Sequence, residues 1–290
     1  MDVMHRIEET IAAVIGQGER GKYPPRLAAA IRHAVFPGGA RIRPRLCIAV
    51  AMACGAADDL RAAEAAAASI ELFHCASLVH DDLPCFDDAA LRRGRPSVHI
   101  AYGEEIAVLT GDALIVLAYQ ALLAAGSEHA TKLPAFMQTL CRAAGMPSGI
   151  VAGQAWESEP NASLAEYHRA KTGILFSAAT ESGAIAAGAD PVRWTALGAR
   201  LGEAYQVADD IRDVAASTHD LGKPVGQDLA HGRPSSTRAL GLKGALKRFE
   251  YLLDSALVSI PPCPGGSDLQ ELIRLESQRL IPEEISRQAA

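Results

Sequence analysis

The run Ala62-Ala63-Glu64-Ala65-Ala66-Ala67-Ala68-Ser69-Ile70-Glu71-Leu72-Phe73-His74-Cys75-Ala76-Ser77-Leu78-Val79-His80, followed at once by Asp81-Asp82-Leu83-Pro84-Cys85-Phe86-Asp87-Asp88, decides the fold. Its first part is free of glycine and proline and rich in alanine, so it reads as one long apolar helix. Asp58 or Asp59 can cap its start. Its second part sets four carboxylates at the end of that helix. Unpaired carboxylates beside an apolar wall are costly, so these are expected to be hydrated, paired or metal-bound.

Helical periodicity continues outward in both directions, broken by short Gly/Pro punctuation. Met4–Ile15 is an amphipathic opening helix, and Pro24-Pro25 begins a second that runs to Val35. Phe36-Pro-Gly-Gly39 breaks the chain before a helix over Ile42–Met52. Further helices are expected at about 105–125, 130–143, 163–187, 193–216, 236–259 and 268–280. The composition, 49% hydrophobic but only 5% aromatic, lacks the residues that strands favour. No linker or short repeat divides the chain, and Pro261–Gly266 joins the last two helices. The expected fold is all-α, a single domain over residues 1–290.

The net charge of −6 argues against a nucleic-acid partner. Six scattered cysteines without a CxxC pair, and no export signal at the start, give the expectation of reduced thiols in a cytoplasmic protein. The most apolar stretch, Ala113–Gly126, is too short to span a bilayer, for which about 20 residues are needed.

In the acidic segment, Asp81 and Asp87 fall on different faces of an ideal helix. Pro84 disfavours helical geometry at Leu83, so the chain loops after Asp82 and brings Asp87 back. A second cluster, Tyr205-Gln206-Val207-Ala208-Asp209-Asp210-Ile211-Arg212-Asp213, puts Asp209 and Asp213 on one helix face. Two such clusters across a cavity would grip a diphosphate through bridging Mg²⁺, a hard cation that takes one or two carboxylates plus phosphates and waters. Acid spacing alone is not diagnostic. Asp58-Asp59 followed by Glu64 repeats the spacing of Asp81-Asp82 and Asp87, but no basic residues follow and helix capping explains it better. After Asp88, by contrast, comes Leu91-Arg92-Arg93-Gly94-Arg95-Pro96, whose guanidiniums suit phosphate oxygens.

At these residues the sequence resembles the trans-prenyltransferases, the polyprenyl or isoprenyl diphosphate synthases. The resemblance runs from Pro37 to Ser236. It rests on Gly38-Gly39-Ala40-Arg41-Ile42-Arg43-Pro44, Asp81–Asp88 with Arg92-Arg93-Gly94, and Gly153-Gln154. Lys171-Thr172-Gly173, Gln206–Asp213, Gly222-Lys223-Pro224 and Gly226-Gln227-Asp228 follow in the family's order. The wording around Phe36–Pro44 and Val151–Glu157 is similar to the geranylgeranyl diphosphate synthases of carotenoid-making photosynthetic bacteria.

The resemblance implies an isoprenoid-synthase bundle around a central apolar cavity, a homodimer, and three Mg²⁺ per site. Asp81, Asp87 and Asp209 would be the principal metal ligands, with Asp82 and Asp213 supporting. Arg92, Lys171, Thr172, Gln206, Lys223 and Arg233 would surround an allylic diphosphate (dimethylallyl, geranyl or farnesyl). Arg43, His74 and Arg93 would hold isopentenyl diphosphate. Two positions depart from the pattern. Ala40 stands where the family usually has a lysine, which implies either that Arg41 compensates or that affinity for isopentenyl diphosphate is reduced. Arg233 stands in place of another lysine.

His74 also completes Glu71-Leu72-Phe73-His74, a Glu-x-x-His pattern of di-iron bundles. Those need a second copy, which the chain lacks. A terpene cyclase would not need Arg43, His74 and Arg93. A farnesyl diphosphate synthase or a non-catalytic regulatory subunit remains the alternative, although the latter typically loses an aspartate motif.

Product length is read from the same helix. Ser77 and Ala76 lie four and five residues before Asp81, roughly 6–8 Å below it at about 1.5 Å per residue. Both are small, where fifteen-carbon family members commonly carry a bulky aromatic. Phe73 would form part of a deeper floor, which implies a twenty-carbon product. Ala76→Tyr is expected to shorten the product to fifteen carbons, as read by chromatography; an unchanged product would remove the argument.

Overall fold

The computed structural model describes residues 2–36, 39–124, 127–159, 169–215 and 235–281. Lys223, Arg233 and the surrounding Gly222–Asp228 motifs lie outside the described residues, as do Pro37 and Gly38. The helices are α1 (Val3–Gly18), α2 (Pro25–Val35), α3 (Ile42–Ala53), α4 (Arg61–Asp81), α5 (Val98–Tyr102) and α6 (Glu104–Ala124). Then follow α7 (Leu133–Ala144), α8 (Ile150–Ala155), α9 (Ile174–Ala186), α10 (Thr195–Ala215), α11 (Ser236–Val258) and α12 (Gly266–Leu280). The only strands among the described residues are the antiparallel pair Leu91–Arg92 and Arg95–Pro96. The sequence-predicted all-α class holds, and most expected helices recur with ends shifted by a few residues; of the helix expected at 163–187 the described part is a π-helical segment, Arg169–Gly173, followed by α9 from Ile174.

Helix α4 is the axis of the bundle. Ala62, Ala63, Ala66, Ala67 and Ala68 are buried together with Ile70, Leu72 and Phe73, so the helix is covered on every side. Each of the three larger side chains contributes about 1.5–3 kcal/mol by leaving water. The alanines let neighbours approach closely, and α4 packs most extensively on α6, then on α3 and α9. At its start, Asp59 Oδ1 accepts from the Arg61 amide at 3.2 Å and pairs with the Arg61 guanidinium. Leu60 is the N-cap and makes no side-chain cap bond, so of the two acids expected to cap this helix Asp59 reaches only its first amide, from the residue before the cap.

Helix α6 corrects one expectation. Its apolar stretch belongs to a 21-residue helix, so α4 and α6 are both long and apolar enough to cross a membrane by length and composition. Ala107, Gly111, Leu114 and Ala118 of α6 are buried, whereas Val108, Leu109, Val116 and Leu123 are exposed.

Glycines set the distance between α9 and its neighbours. A Cβ on Gly183 would lie 2.4 Å from the Cys47 carbonyl of α3, and one on Gly198 would lie 2.4 Å from Ser177 Cα. At Gly202 it would lie 2.6 Å from Gly173 Cα. These backbone-to-backbone contacts bring the segment before α9 against α10, where the second aspartate cluster sits. Gly198→Ala is expected to force α9 and α10 apart at a cost of about 1–3 kcal/mol, measurable as a lower urea midpoint.

Candidate active site

The end of α4 turns as the sequence suggests. The Asp82 amide still donates to Leu78 O at 3.1 Å, then the chain folds back. The Asp87 amide donates to Asp81 O at 2.9 Å, and the Ala89 amide to Asp82 O at 3.2 Å. The loop after Pro84 thus occupies carbonyls that the helix end leaves open, and it returns Asp87 to Asp81. The strand pair follows. Its two central residues, Arg93 and Gly94, both have positive φ (52° and 73°), the geometry of a type I′ turn. Short strands and a tight turn hold Arg92 so that its Nε donates to Asp82 at 3.0 Å, with a second guanidinium nitrogen on the same carboxylate.

Beneath this loop lies a cavity of about 1090 Å³. Asp81 and Asp87 line its mouth on one side, with Arg92 and Arg93 beside them, and Asp209 lines it from α10. Lys171, Thr172 and Gln206 complete the polar rim, Arg43 and His74 face it, and Phe73, Ala76 and Ser77 descend along α4. Thirteen sequence-predicted residues therefore meet at one cavity. Asp82 and Asp213 are buried but do not line it. Asp82 is engaged with Arg92, and Asp213 lies one turn beyond Asp209 on α10.

Burial raises the Asp81 carboxyl to about 6; nearby Lys171 opposes this, and Asp87 and Glu157 add to it. The C-terminal end of α4 carries a negative partial charge of its own, so a carboxylate there is doubly in need of cations. Lys171 Nζ stands 3.9 Å from Asp81 and 2.5 Å from Glu157 Oε1. It sits in a π-helical segment, Arg169–Gly173, which meets α8 so closely that a Cβ on Gly153 would lie 2.5 Å from the Lys171 amide. Local i→i+5 geometry of this kind is frequent at functional sites.

The same segment presents Thr172, whose hydroxyl donates to Gln206 Oε1 at 2.9 Å. Gln206 Nε2 donates to Asp210 at 2.9 Å, and the other Asp210 oxygen accepts from the Ser236 amide at 2.7 Å. A carboxylate can only accept, which fixes the Gln206 amide with its oxygen toward Thr172. Asp210 thus caps α11 and orients Gln206 instead of facing the cavity, a division of labour that acid spacing alone does not reveal.

Arg43, His74 and Arg93 also line the cavity. Arg43 is buried, its guanidinium lies 4.7 Å over the Phe176 ring, and its Nε has no hydrogen-bond partner among the described residues. Desolvation and the neighbouring Arg43, Arg93, Arg92 and Arg41 push His74 well below its usual range, so it is neutral. A neutral imidazole, guanidiniums and an unpartnered N–H make a site for an anion.

Arg41 does not join them, which corrects the suggestion that it compensates for Ala40. Its Nη1 donates to Glu71 at 2.6 Å, its Nε to Glu8 at 2.8 Å, and its Nη2 to Val35 O at 2.9 Å. Its bonds to Glu8, Glu71 and Val35 O tie α1 and the end of α2 to α4. The sequence reading missed Glu8 and missed the structural part of Glu71. It also missed Glu157, and Tyr205, which lies one turn before Asp209 and whose helical spacing places it on the cavity face.

Among the described residues, no group of three or more His, Cys, Asp or Glu side chains converges tightly enough to hold a metal alone. That suits Mg²⁺, which completes its shell with waters and substrate phosphates. The donors fit: hard carboxylate oxygens on two walls of the mouth, one of them in deficit of positive charge. The cavity as a whole suits a molecule with an anionic, metal-binding head and a hydrocarbon tail.

Known proteins agree with that class. A family model for polyprenyl synthetase matches residues 24–256. The chain is 51% identical to the geranylgeranyl diphosphate synthase of Cereibacter sphaeroides, over 97% of each chain. It is 46% identical to that of Rhodobacter capsulatus over the same shares. Among solved structures, a geranyltransferase from Helicobacter pylori complexed with magnesium and isoprenyl diphosphate matches 96% of each chain at TM-score 0.81 and 29% identity. The chain belongs to the polyprenyl synthetase family.

The Asp81 shift has a consequence for metal-free protein. A carboxyl that holds its proton more tightly when folded favours the folded state at low pH. That contribution is complete below the unfolded value of 3.8 and is lost as pH rises through about 6. The unfolding free energy of metal-free protein, from urea titrations, is expected to fall across this window by up to about 3 kcal/mol, and Asp81→Asn is expected to flatten the slope while abolishing turnover.

Proposed function

We propose that this protein condenses isopentenyl diphosphate head-to-tail with the allylic dimethylallyl, geranyl and farnesyl diphosphates, ending at geranylgeranyl diphosphate. The carrying observation is one cavity lined both by the carboxylates Asp81, Asp87 and Asp209 with basic side chains and, beneath Asp81 on α4, by the small residues Ala76 and Ser77. In this reading Asp81, Asp87 and Asp209 would hold three magnesium ions, with Asp82 and Asp213 in support, and magnesium there would supply positive charge for the departing diphosphate. Arg92 and Lys171 bind that diphosphate, joined by Lys223 and Arg233. Thr172 and Gln206 border it in fixed orientation. Arg43, His74 and Arg93 hold isopentenyl diphosphate so that its double bond meets the allylic cation, and a proton is then lost. No side-chain nucleophile is needed, because preorganised charge carries the step.

The exposed Val108, Leu109, Val116 and Leu123 of α6 support a homodimer through that face. The product would serve carotenoid or (bacterio)chlorophyll synthesis in the cytoplasm. The test is chromatography of products from the purified protein with isopentenyl diphosphate, each allylic starter and Mg²⁺. A twenty-carbon product that disappears with chelator is expected. A fifteen-carbon stop would make it a farnesyl diphosphate synthase, and no turnover alone would favour the regulatory subunit.

A further inference from the structure

At the mouth of the cavity α4 is keyed into α6 by a histidine and a glycine. A Cβ on Gly111 would lie 2.0 Å from His80 Nε2 and 2.4 Å from its Cδ2, so the tip of the imidazole occupies the place a side chain would take. His80 Nε2 stands 3.3 Å from the Val108 carbonyl and 3.9 Å from Asp112 Oδ1. A carbonyl only accepts, so the nearer contact puts the proton on Nε2. Val108, Gly111 and Asp112 stand at i, i+3 and i+4 and share one face of α6. Glycine weakens a helix interior relative to alanine, yet α6 carries this one, buried, inside its 21 residues. The backbone of His80 is engaged as well. Its carbonyl accepts from the Leu83 amide at 3.1 Å, where the helix gives way to the aspartate loop.

We propose that His80 is a positioning residue for the metal-binding carboxylates, and that residue 111 is glycine in order to receive it. The inference rests on the reading of Asp81 and Asp87 as magnesium ligands and adds the contact that aims them. Asp81 follows His80 directly and is the last residue of α4, where helix carbonyls lack partners within the helix. A working metal site needs its carboxylates held to within about 0.5 Å, by groups that are themselves locked by packing and hydrogen bonds. The loop bond on Asp81 O ties Asp87 to Asp81 but leaves both free to swing together with the last turn of α4. A ring seated in a separate helix stops that swing. Gly111 gives the cleaner probe of the contact. The three nearest neighbours of an added Cβ are all atoms of the His80 ring, so Gly111→Ala is expected to expel the ring and leave both backbones in place.

The test compares full-length wild type with Gly111→Ala, His80→Ala, His80→Gln and the double variant His80→Ala, Gly111→Ala. Mn²⁺ stands in for Mg²⁺, and its binding in the presence of inorganic pyrophosphate is read by electron paramagnetic resonance, without turnover. Gly111→Ala and His80→Ala are each expected to bind Mn²⁺ about tenfold more weakly, the scale seen when a residue that orients metal ligands is lost. The double variant is expected to be no weaker than His80→Ala, because the same contact is lost in both. His80→Gln, whose amide N–H can reach Val108 O, is expected to recover part of the affinity. Urea unfolding of the metal-free proteins separates this from a packing role, since Gly111→Ala is expected to keep wild-type stability while losing affinity. Wild-type affinity in folded Gly111→Ala, or losses that multiply in the double variant, would overturn the proposal. If His80→Ala does not fold, Gly111→Ala and His80→Gln decide it. Failure of the underlying reading looks different: a wild type that binds no Mn²⁺ with pyrophosphate removes the magnesium assignment, and the positioning role with it.

Discussion

The carboxylate of Asp81, at the C-terminal end of a helix buried on every side, is the constraint from which the site follows. A buried helix end concentrates negative partial charge, and a buried carboxylate there has lost its hydration. The fold answers with cations delivered by other elements. Lys171 comes from a π-helical segment pressed between α8 and α10 by glycine contacts, and Arg92 comes from a tight hairpin. Neither fully compensates, since Asp81 still sits near 6. The deficit that remains is the part of the design that a divalent cation fills.

Counter-charge is rationed among the arginines in the same way. Arg41 and Arg92 are committed to Glu8, Glu71 and Asp82 within the protein. Removing one partner of such a buried pair is strongly destabilising, so these guanidiniums first hold the walls in place. Arg43 is different. It is stacked on aromatic faces, and its buried Nε is unsatisfied among the described residues. What this wall offers a diphosphate is the positive charge left after internal pairing. With Ala40 adding none and Arg41 paired to Glu8 and Glu71, the positive charge on this wall rests on Arg43 and on Arg93, which stands 3.9 Å from Glu71.

Much of this was legible in the sequence. The helices follow from periodicity and Gly/Pro breaks, and the return of Asp87 follows from Pro84, because those signals are local. The failures were of pairing. Nothing in Gly39-Ala40-Arg41 shows that the Arg41 side chain turns toward α1, since its partner Glu8 is thirty-three residues away. Likewise nothing local in Gln206–Asp213 shows that Asp210 accepts from Gln206 and from the Ser236 amide at the start of α11. Phe73 could be placed by counting along α4, whereas its ring neighbour Tyr119 enters only once α6 is packed against it.

That counting bears on why Ala76 is small. A buried alanine on a crowded helix is ordinarily a packing residue, and most alanines of α4 are that. Ala76 differs in lining the cavity, so its size sets shaft width as well as helix spacing. Ser77 makes the same point from its chemistry. Its hydroxyl donates to the His74 carbonyl at 2.8 Å within α4, so a residue that is nominally polar turns no unsatisfied donor toward a hydrocarbon chain. The helix that carries Asp81 at its end also lines the cavity with Phe73, Ala76 and Ser77. Rotating it to improve the one would therefore misplace the other, and its burial on every face is what holds both in register.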